Sequence, residues 1–213
     1  MNNPHISKGW IAAIIIAAVV IIDQAIKIWV KCSFALYEDL RIIDWFILRF
    51  VENNGMAFGM EWGPKLFLTW FRIIAVGLLI YYITRLCKKA TIPTGYLVCI
   101  SLITAGALGN VIDCIAYGQI FSESTPVTVA QMFPPDGGYA SIFNGRVVDM
   151  FYFPLFTWPD WVPLLGGSEF FQPVFNFADA CLSVSVFLLV CFYSKHLVAE
   201  DDNKKTEDGD TAQ

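Results

Sequence analysis

The chain has 213 residues, of which 56% are hydrophobic, 15% aromatic and only 15% charged, with a mean hydropathy of +0.57. That much apolar surface excludes an intrinsically disordered chain, and so little charge excludes an ordinary soluble domain. The net charge of −5 is concentrated in the acids from Glu200 to Asp210, so there is no basic field for nucleic acid, and the class is integral membrane protein.

A bilayer core about 30 Å thick needs about 20 apolar residues of helix. Trp10–Lys31 is the first such segment. Lys8 ahead of the run Ile11–Ile22 is compatible with a signal peptide, but no small-x-small cleavage pattern follows, so an uncleaved helix is expected. In the loop 32–64, Arg41–Glu52 is rich in β-branched and aromatic residues with partial alternation and predicts a strand or hairpin arm. Lys65–Leu86 and Thr94–Tyr117 are the second and third spans, joined by a link containing Arg85, Lys88 and Lys89. The loop 118–172 holds the turn cluster Pro134–Gly138 and Trp-Pro-rich stretches around Trp158 and Trp161, aromatic residues of a kind that anchors at a membrane surface. Pro173–Ser194 is the fourth span, and 196–213 is an acidic tail.

Lys8, the Arg85–Lys89 link, Lys195, Lys204 and Lys205 fall on one side of four spans, while the two long loops hold only Arg41, Arg49 and Arg146. The positive-inside rule then puts both termini and the tail in the cytoplasm and both long loops outside. The expected fold is an all-α membrane protein with a small β part, residues 1–195 forming a single transmembrane domain. Cys32, Cys87, Cys99, Cys114, Cys181 and Cys191 lie in or beside apolar runs without metal-ligand spacing, and the two histidines, His5 and His196, are at opposite ends. Buried structural thiols are expected.

Acids inside apolar spans are costly and mark functional sites by default. Asp23 lies eight residues before Lys31, Asp113 five before Gly118, and Asp179 about six into the fourth span. At 1.5 Å per residue these sit roughly 7–12 Å below the outer helix ends, in one layer. Asp149 approaches the same layer from the second outer loop. Asn110 and Asn176 each lie three residues before an acid and share its helix face, and Asn54 precedes Gly55, where a tight turn is possible. Two carboxyls brought together cannot both ionise, so one keeps a proton near neutral pH, and such a pair can activate water and polarise a carbonyl. Other readings of these residues stay open. Asp23 and Lys27 form an i,i+4 pair that stabilises a helix whether or not it catalyses, and Asp113 with Asn110 can brace a helix end. A proton-coupled transporter subunit or a scaffold held by polar contacts is the alternative function, although the acids lie at one surface and form no path across.

At these residues the sequence resembles lipoprotein signal peptidase (signal peptidase II), a membrane aspartyl endopeptidase family of bacteria. Asp23-Gln24 with Lys27, Asn54-Gly55-Met56-Ala57-Phe58, Gly106–Asp113, Val147–Phe151 and Phe175–Asp179 are similar to its five motifs, in order. The resemblance implies four transmembrane helices with an outer β-cradle and a small amphipathic arm, in the bacterial inner membrane with the active site near the outer face. It implies removal of the signal peptide on the amino side of an S-diacylglyceryl cysteine in prolipoproteins, by catalytic Asp149 and Asp179 without metal or cofactor. Asn54, Gly55, Asn110, Asp113, Asn176 and Arg146 would bind substrate, with Asp23 and Lys27 in support. A monomer, contact with membrane lipid and inhibition by cyclic peptide antibiotics of the globomycin type are further implications. Two departures stand out. The family carries an arginine directly after the third-helix acid, where this chain has Cys114, so Arg146 or another group would take its role of steadying the substrate backbone. The segments on either side of Asp149 are also longer than usual.

Overall fold

The structure, a computed structural model, describes residues 7–54 and 65–196. Helix α1 (Lys8–Ser33) begins where the Ser7 hydroxyl accepts the Trp10 N–H, and closes with the Phe34 N–H on the Val30 carbonyl. Its isoleucine-rich centre would suit a strand in water, but in an apolar medium a helix satisfies every backbone group within the segment. Helices α2 (Lys65–Cys87) and α3 (Thr94–Ile112) follow. α3 runs on through one π-helical turn (Asp113–Tyr117) into the short α4 (Gly118–Ile120). Among the described residues, three helical stretches, Lys8–Ser33, Lys65–Cys87 and Thr94–Ile120, are long and apolar enough to cross a membrane.

The last helix, α5 (Phe177–Phe192), has 16 residues, about 24 Å. Sequence reasoning starts it at Pro173; instead Val174–Phe175 is drawn into a strand, and Asn176 caps the helix. The reason is local: the Asn176 side chain accepts the Asp179 N–H while the Asp179 carboxylate accepts the Asn176 N–H, a reciprocal box that fixes the first turn here.

α3 is the central helix. A Cβ on Gly109 would stand 2.6 Å from Asp23 Oδ2, so glycine lets α1 bring its carboxylate against the α3 backbone. α1 and α2 turn Ile14, Ile21, Phe67, Phe71, Ile74 and Leu78 outward, as lipid-facing helices do. That orientation corrects the expectation of buried thiols. All six cysteines are free, but only Cys99 and Cys114 are buried, and Cys32 and Cys191 are exposed. An apolar run in a spanning helix has a lipid face as well as an interior one.

Two apolar clusters cap a polar layer. One, with Ala12, Leu86, Tyr96, Leu97, Ile100 and Leu189, lies at the end where Lys8 Nζ donates to the carbonyls of Lys89, Ala90 and Ile92 at 2.8–3.0 Å. The other joins Val30, Phe34, Phe50, Tyr117, Phe121 and Met150 at the opposite end, beneath the sheet.

The sheet is antiparallel, in the order β1 (Asp39–Ile43), β2 (Phe46–Asn53), β3 (Val147–Tyr152), β6 (Val174–Phe175). The expected strand or hairpin arm is therefore a hairpin, clasped by Arg49 on its cross-strand partner Asp39 at 2.6 and 2.7 Å. β3 is nearly buried on both faces, with Asp149 opposite Val51 and Phe151 opposite Phe175. A second, two-stranded ladder pairs β4 (Phe156–Thr157) with β5 (Glu169–Phe170). The turn cluster closes at Gly137, whose φ of +88° only glycine adopts without strain and whose N–H reaches the Pro134 carbonyl at 3.1 Å.

Candidate active site

Asp149 comes from β3 and Asp179 from the first turn of α5, and a single side chain ties them. Asn176 Nδ2 donates to Asp149 Oδ1 at 2.7 Å, and its Oδ1 accepts the Asp179 N–H at 2.9 Å. The strand register Phe151↔Phe175 carries β6, and with it the cap of α5, alongside the catalytic candidate on β3. Asp149 is 3% exposed, whereas Asp179 is half-buried. Burial and the neighbouring Asp179 charge push the Asp149 carboxyl up to about 7, against the opposing pull of Asn53, Asn176 and Lys27. The pair is asymmetric: one member has reason to hold a proton at neutral pH.

Asn110 links the acids to a buried cation. Its Nδ2 donates to Asp179 Oδ1 at 2.8 Å, while its Oδ1 accepts from Asn176 Nδ2 at 3.0 Å and Lys27 Nζ at 2.8 Å. With its carbonyl held by two donors, the amide can only present its NH2 to Asp179. Lys27 is fully buried between Asp23 Oδ2 at 2.9 Å and Asp113 Oδ2 at 2.8 Å. Two carboxylates and an amide are the company a buried ammonium needs.

Asp23 does more than balance charge. Its Oδ1 accepts the Ala178 N–H at 3.0 Å, satisfying an orphan donor in the first turn of α5. Asp113 accepts from Gln24 Nε2 at 2.8 Å and from the Val148 N–H at 3.3 Å, so it grips the strand one residue before Asp149. Tyr117, within the π turn, donates to Gln24 Oε1 at 3.1 Å. Asp23, Lys27, Asn110, Asp113, Asn176, Asp149 and Asp179 thus form one network.

The other expected site residues lie elsewhere. Asn54 is exposed at the end of β2, where its Oδ1 accepts from Lys65 Nζ at 3.3 Å. Its neighbour Asn53 is the one bonded to Asp149, because successive strand residues face opposite ways. Gly55 lies outside the described residues. Arg146 Nη1 pairs with Glu52 Oε2 and Glu123 Oε1, each at 2.9 Å, and its guanidinium lies 5.0 Å from the Tyr139 ring. Glu52 also pairs with Lys31, which is fully buried and donates to Ser124 Oγ at 2.9 Å. Burial alone would raise the Glu52 carboxyl; Lys31, Arg146 and Ser124 together hold it below its ordinary range. Sequence reasoning missed Asn53, Gln24 and this second ion pair. Only Gln24 had a signal, since it lies between Asp23 and Lys27.

A family model described as Signal peptidase (SPase) II matches residues 15–195. A lipoprotein signal peptidase of Porphyromonas gingivalis is 48% identical over 206 residues, 95% of this chain and 91% of that protein. One of Amoebophilus asiaticus is 38% identical over 180 residues, 80% of this chain and 72% of that protein. Among solved structures, a bacterial membrane enzyme determined by the in meso method at 2.3 Å resolution superposes with a TM-score of 0.58. It is 26% identical and covers 91% of this chain and 90% of its own.

Proposed function

This chain belongs to the signal peptidase II family, and on that premise we propose that it cleaves prolipoproteins on the amino side of an S-diacylglyceryl cysteine with the Asp149/Asp179 pair. It is a membrane protease; the substrate, the bond cut and the residues that cut it are our reading. The observation that carries it is the bridge of Asn176 between Asp149 and Asp179, which supports two carboxyls acting as one unit.

In this reading Asp149 holds the proton and Asp179 is ionised. Asp179 takes a proton from water as its oxygen attacks the scissile carbonyl carbon, and Asp149 donates to the carbonyl oxygen. The C–N bond of the resulting tetrahedral species then breaks. Asp179 returns its proton to the departing cysteine amine, and the new carboxyl gives a proton back to Asp149. Asn110 and the Asn176 N–H donate to the two oxygens of Asp179 and hold its carboxyl in place. Asn110, Asn176 and Asn53 would position substrate and acids together, and Asp113, Asp23 and Lys27 would hold the supporting frame.

The same reading makes α5 a fourth crossing in the bacterial inner membrane, with both termini cytoplasmic, the sheet forming an outer cradle and 196–213 a cytoplasmic tail. The 16 residues of α5 fall short of a core about 30 Å thick, which the bilayer accommodates by local thinning. A monomer sensitive to globomycin-type cyclic peptides fits the same site, because a cyclic peptide can occupy the path of an extended substrate. Purified protein with a diacylglyceryl-modified prolipoprotein tests the reading: the signal peptide is released by the wild type and not by Asp149→Asn.

A further inference from the structure

Lys65, Thr69 and Arg72 follow one another at intervals of four and three residues, so they share one face of α2 at its sheet end. Two of the three are spent on the loop above. Lys65 Nζ donates to the Asn144 carbonyl at 2.6 Å, and Thr69 Oγ1 donates to the Phe143 carbonyl at 3.1 Å. Among the described residues Arg72 has no such partner: its Nη1 donates to Cys114 Sγ at 3.2 Å, and no carboxylate among them lies within ion-pair distance. A thiol is a weak acceptor, and a guanidinium carries five N–H donors.

Arg72 is half-buried and lies seven residues beyond Lys65, about 10 Å along the helix. A charged side chain at such a depth is costly and is retained for a binding or transport task by default. Its neighbour locates the task. Cys114 follows Asp113, whose carboxylate grips the Val148 N–H, one residue before Asp149. The nearby anion Glu52 is already held by Lys31 and Arg146. Among the described residues the guanidinium therefore keeps most of its donors, beside Cys114 and one residue along the chain from Asp113.

We infer that Arg72 is a substrate-positioning residue whose unspent N–H groups bind a backbone carbonyl oxygen of the peptide beside the scissile bond. A peptide entering the site from the bilayer leaves its carbonyls without water, and a planar fork of donors beside Cys114 satisfies them in a fixed orientation. This rests on the reading of the Asp149/Asp179 pair as the proteolytic centre.

The test measures binding and turnover separately, on the full-length protein with a diacylglyceryl-modified prolipoprotein peptide. Arg72→Leu should lower kcat/KM about 10- to 100-fold, the range of one charge-assisted hydrogen bond. Most of the loss should appear in KM, with an unchanged Tm. Arg72→Lys should recover part of the loss. Arg72→Leu combined with Cys114→Arg should recover most, because a guanidinium grown from position 114 starts where that of Arg72 ends. In the Asp149→Asn background, which reports binding without turnover, Arg72→Leu should weaken substrate binding by the same factor. Turnover by Asp149→Asn would defeat the reading of the acids while leaving this binding measurement to judge Arg72. Unchanged kcat/KM in Arg72→Leu overturns the inference. So does a defect that vanishes when anionic lipid is replaced by uncharged detergent, because the guanidinium would then serve a lipid phosphate. Should Arg72→Leu fail to fold, the Cys114→Arg combination and Arg72→Lys carry the comparison.

Discussion

Asn176 donates to the Asp149 carboxylate at 2.7 Å while capping the helix that carries Asp179. One amide thus fixes the distance between a strand residue and a helix residue that no covalent route holds closely. Asn176→Ala should lose the cap, worth about 1 kcal/mol, and should also let the two acids drift apart. Its cleavage rate should therefore fall far more than its small drop in Tm suggests. A rate that falls only in proportion to the folded fraction would reduce Asn176 to a helix cap.

The raised Asp149 carboxyl makes a signed pH prediction. Its folded value near 7 lies above its ordinary value of 3.8, so between those limits the folded protein binds the extra proton. Stability is then largest at the acid end of that window and declines as pH rises through about 7. Thermal unfolding from pH 4 to 8 should show this decline, and Asp149→Asn should flatten it. The cleavage profile should be bell-shaped, and its alkaline limb near neutrality should belong to the coupled pair and not to one residue.

Much of this was legible in the sequence, and the failures have physical causes. Long apolar runs announce helices because nothing else satisfies the backbone in lipid. The hairpin at Arg41–Glu52 showed itself by alternation. β3 did not, since a strand buried on both faces reads as a continuous apolar run. Asp23, Asp113, Asp149 and Asp179 stood out because acids are rare in such surroundings. Asn53 and Asn54 could not be separated, because strand register decides which faces the acid and register is not local. The Lys31–Glu52 pair and the Arg72–Cys114 contact join residues far apart in sequence, and neither side chain of either pair carries a mark of its partner.

Lys31 and Glu52 supply a stability prediction. Both are buried, and Phe121 and Tyr139 face the ammonium at 5.4 and 5.0 Å from their ring centroids. Glu52→Leu leaves Lys31 buried without its carboxylate and should destabilise by about 3–5 kcal/mol. Lys31→Met with Glu52→Leu removes both charges and should recover a large part of that. Unfolding in mixed micelles measures both, and a double variant no better than Glu52→Leu alone would mean that the pair is not the stabilising unit.

Topology can be tested at Asp136, which is exposed in the turn that closes at Gly137. Lys8 meets the α2–α3 link at the end of the helices remote from the sheet, so the basic residues cluster at one surface and Asp136 lies at the other. A cysteine at position 136 should react with a membrane-impermeant maleimide in intact spheroplasts. The native exposed thiols Cys32 and Cys191 should be replaced by serine for this measurement. Labelling only after the inner membrane is broken would reverse the orientation.

The carboxylate pair itself carries the firmest prediction. Asp149→Asn and Asp179→Asn change neither size nor the capacity to accept a hydrogen bond at one oxygen, but each removes a titrating group. Asp179→Asn keeps one acceptor oxygen, for Asn110, and gives up the longer contact to the Asn176 N–H, but Asn176 Oδ1 still accepts the backbone N–H of residue 179, so that half of the α5 cap should survive. Asp149→Asn relieves the raised carboxyl and should leave the protein at least as stable above pH 7. Both variants should fold and bind substrate, and both should fail to release the signal peptide. Because the pair works as one unit, the double variant should be no slower than either single one. A multiplicative loss in the double variant would mean two independent contributions, and a substantial rate in either single variant would leave the aspartyl mechanism without its nucleophile-activating group.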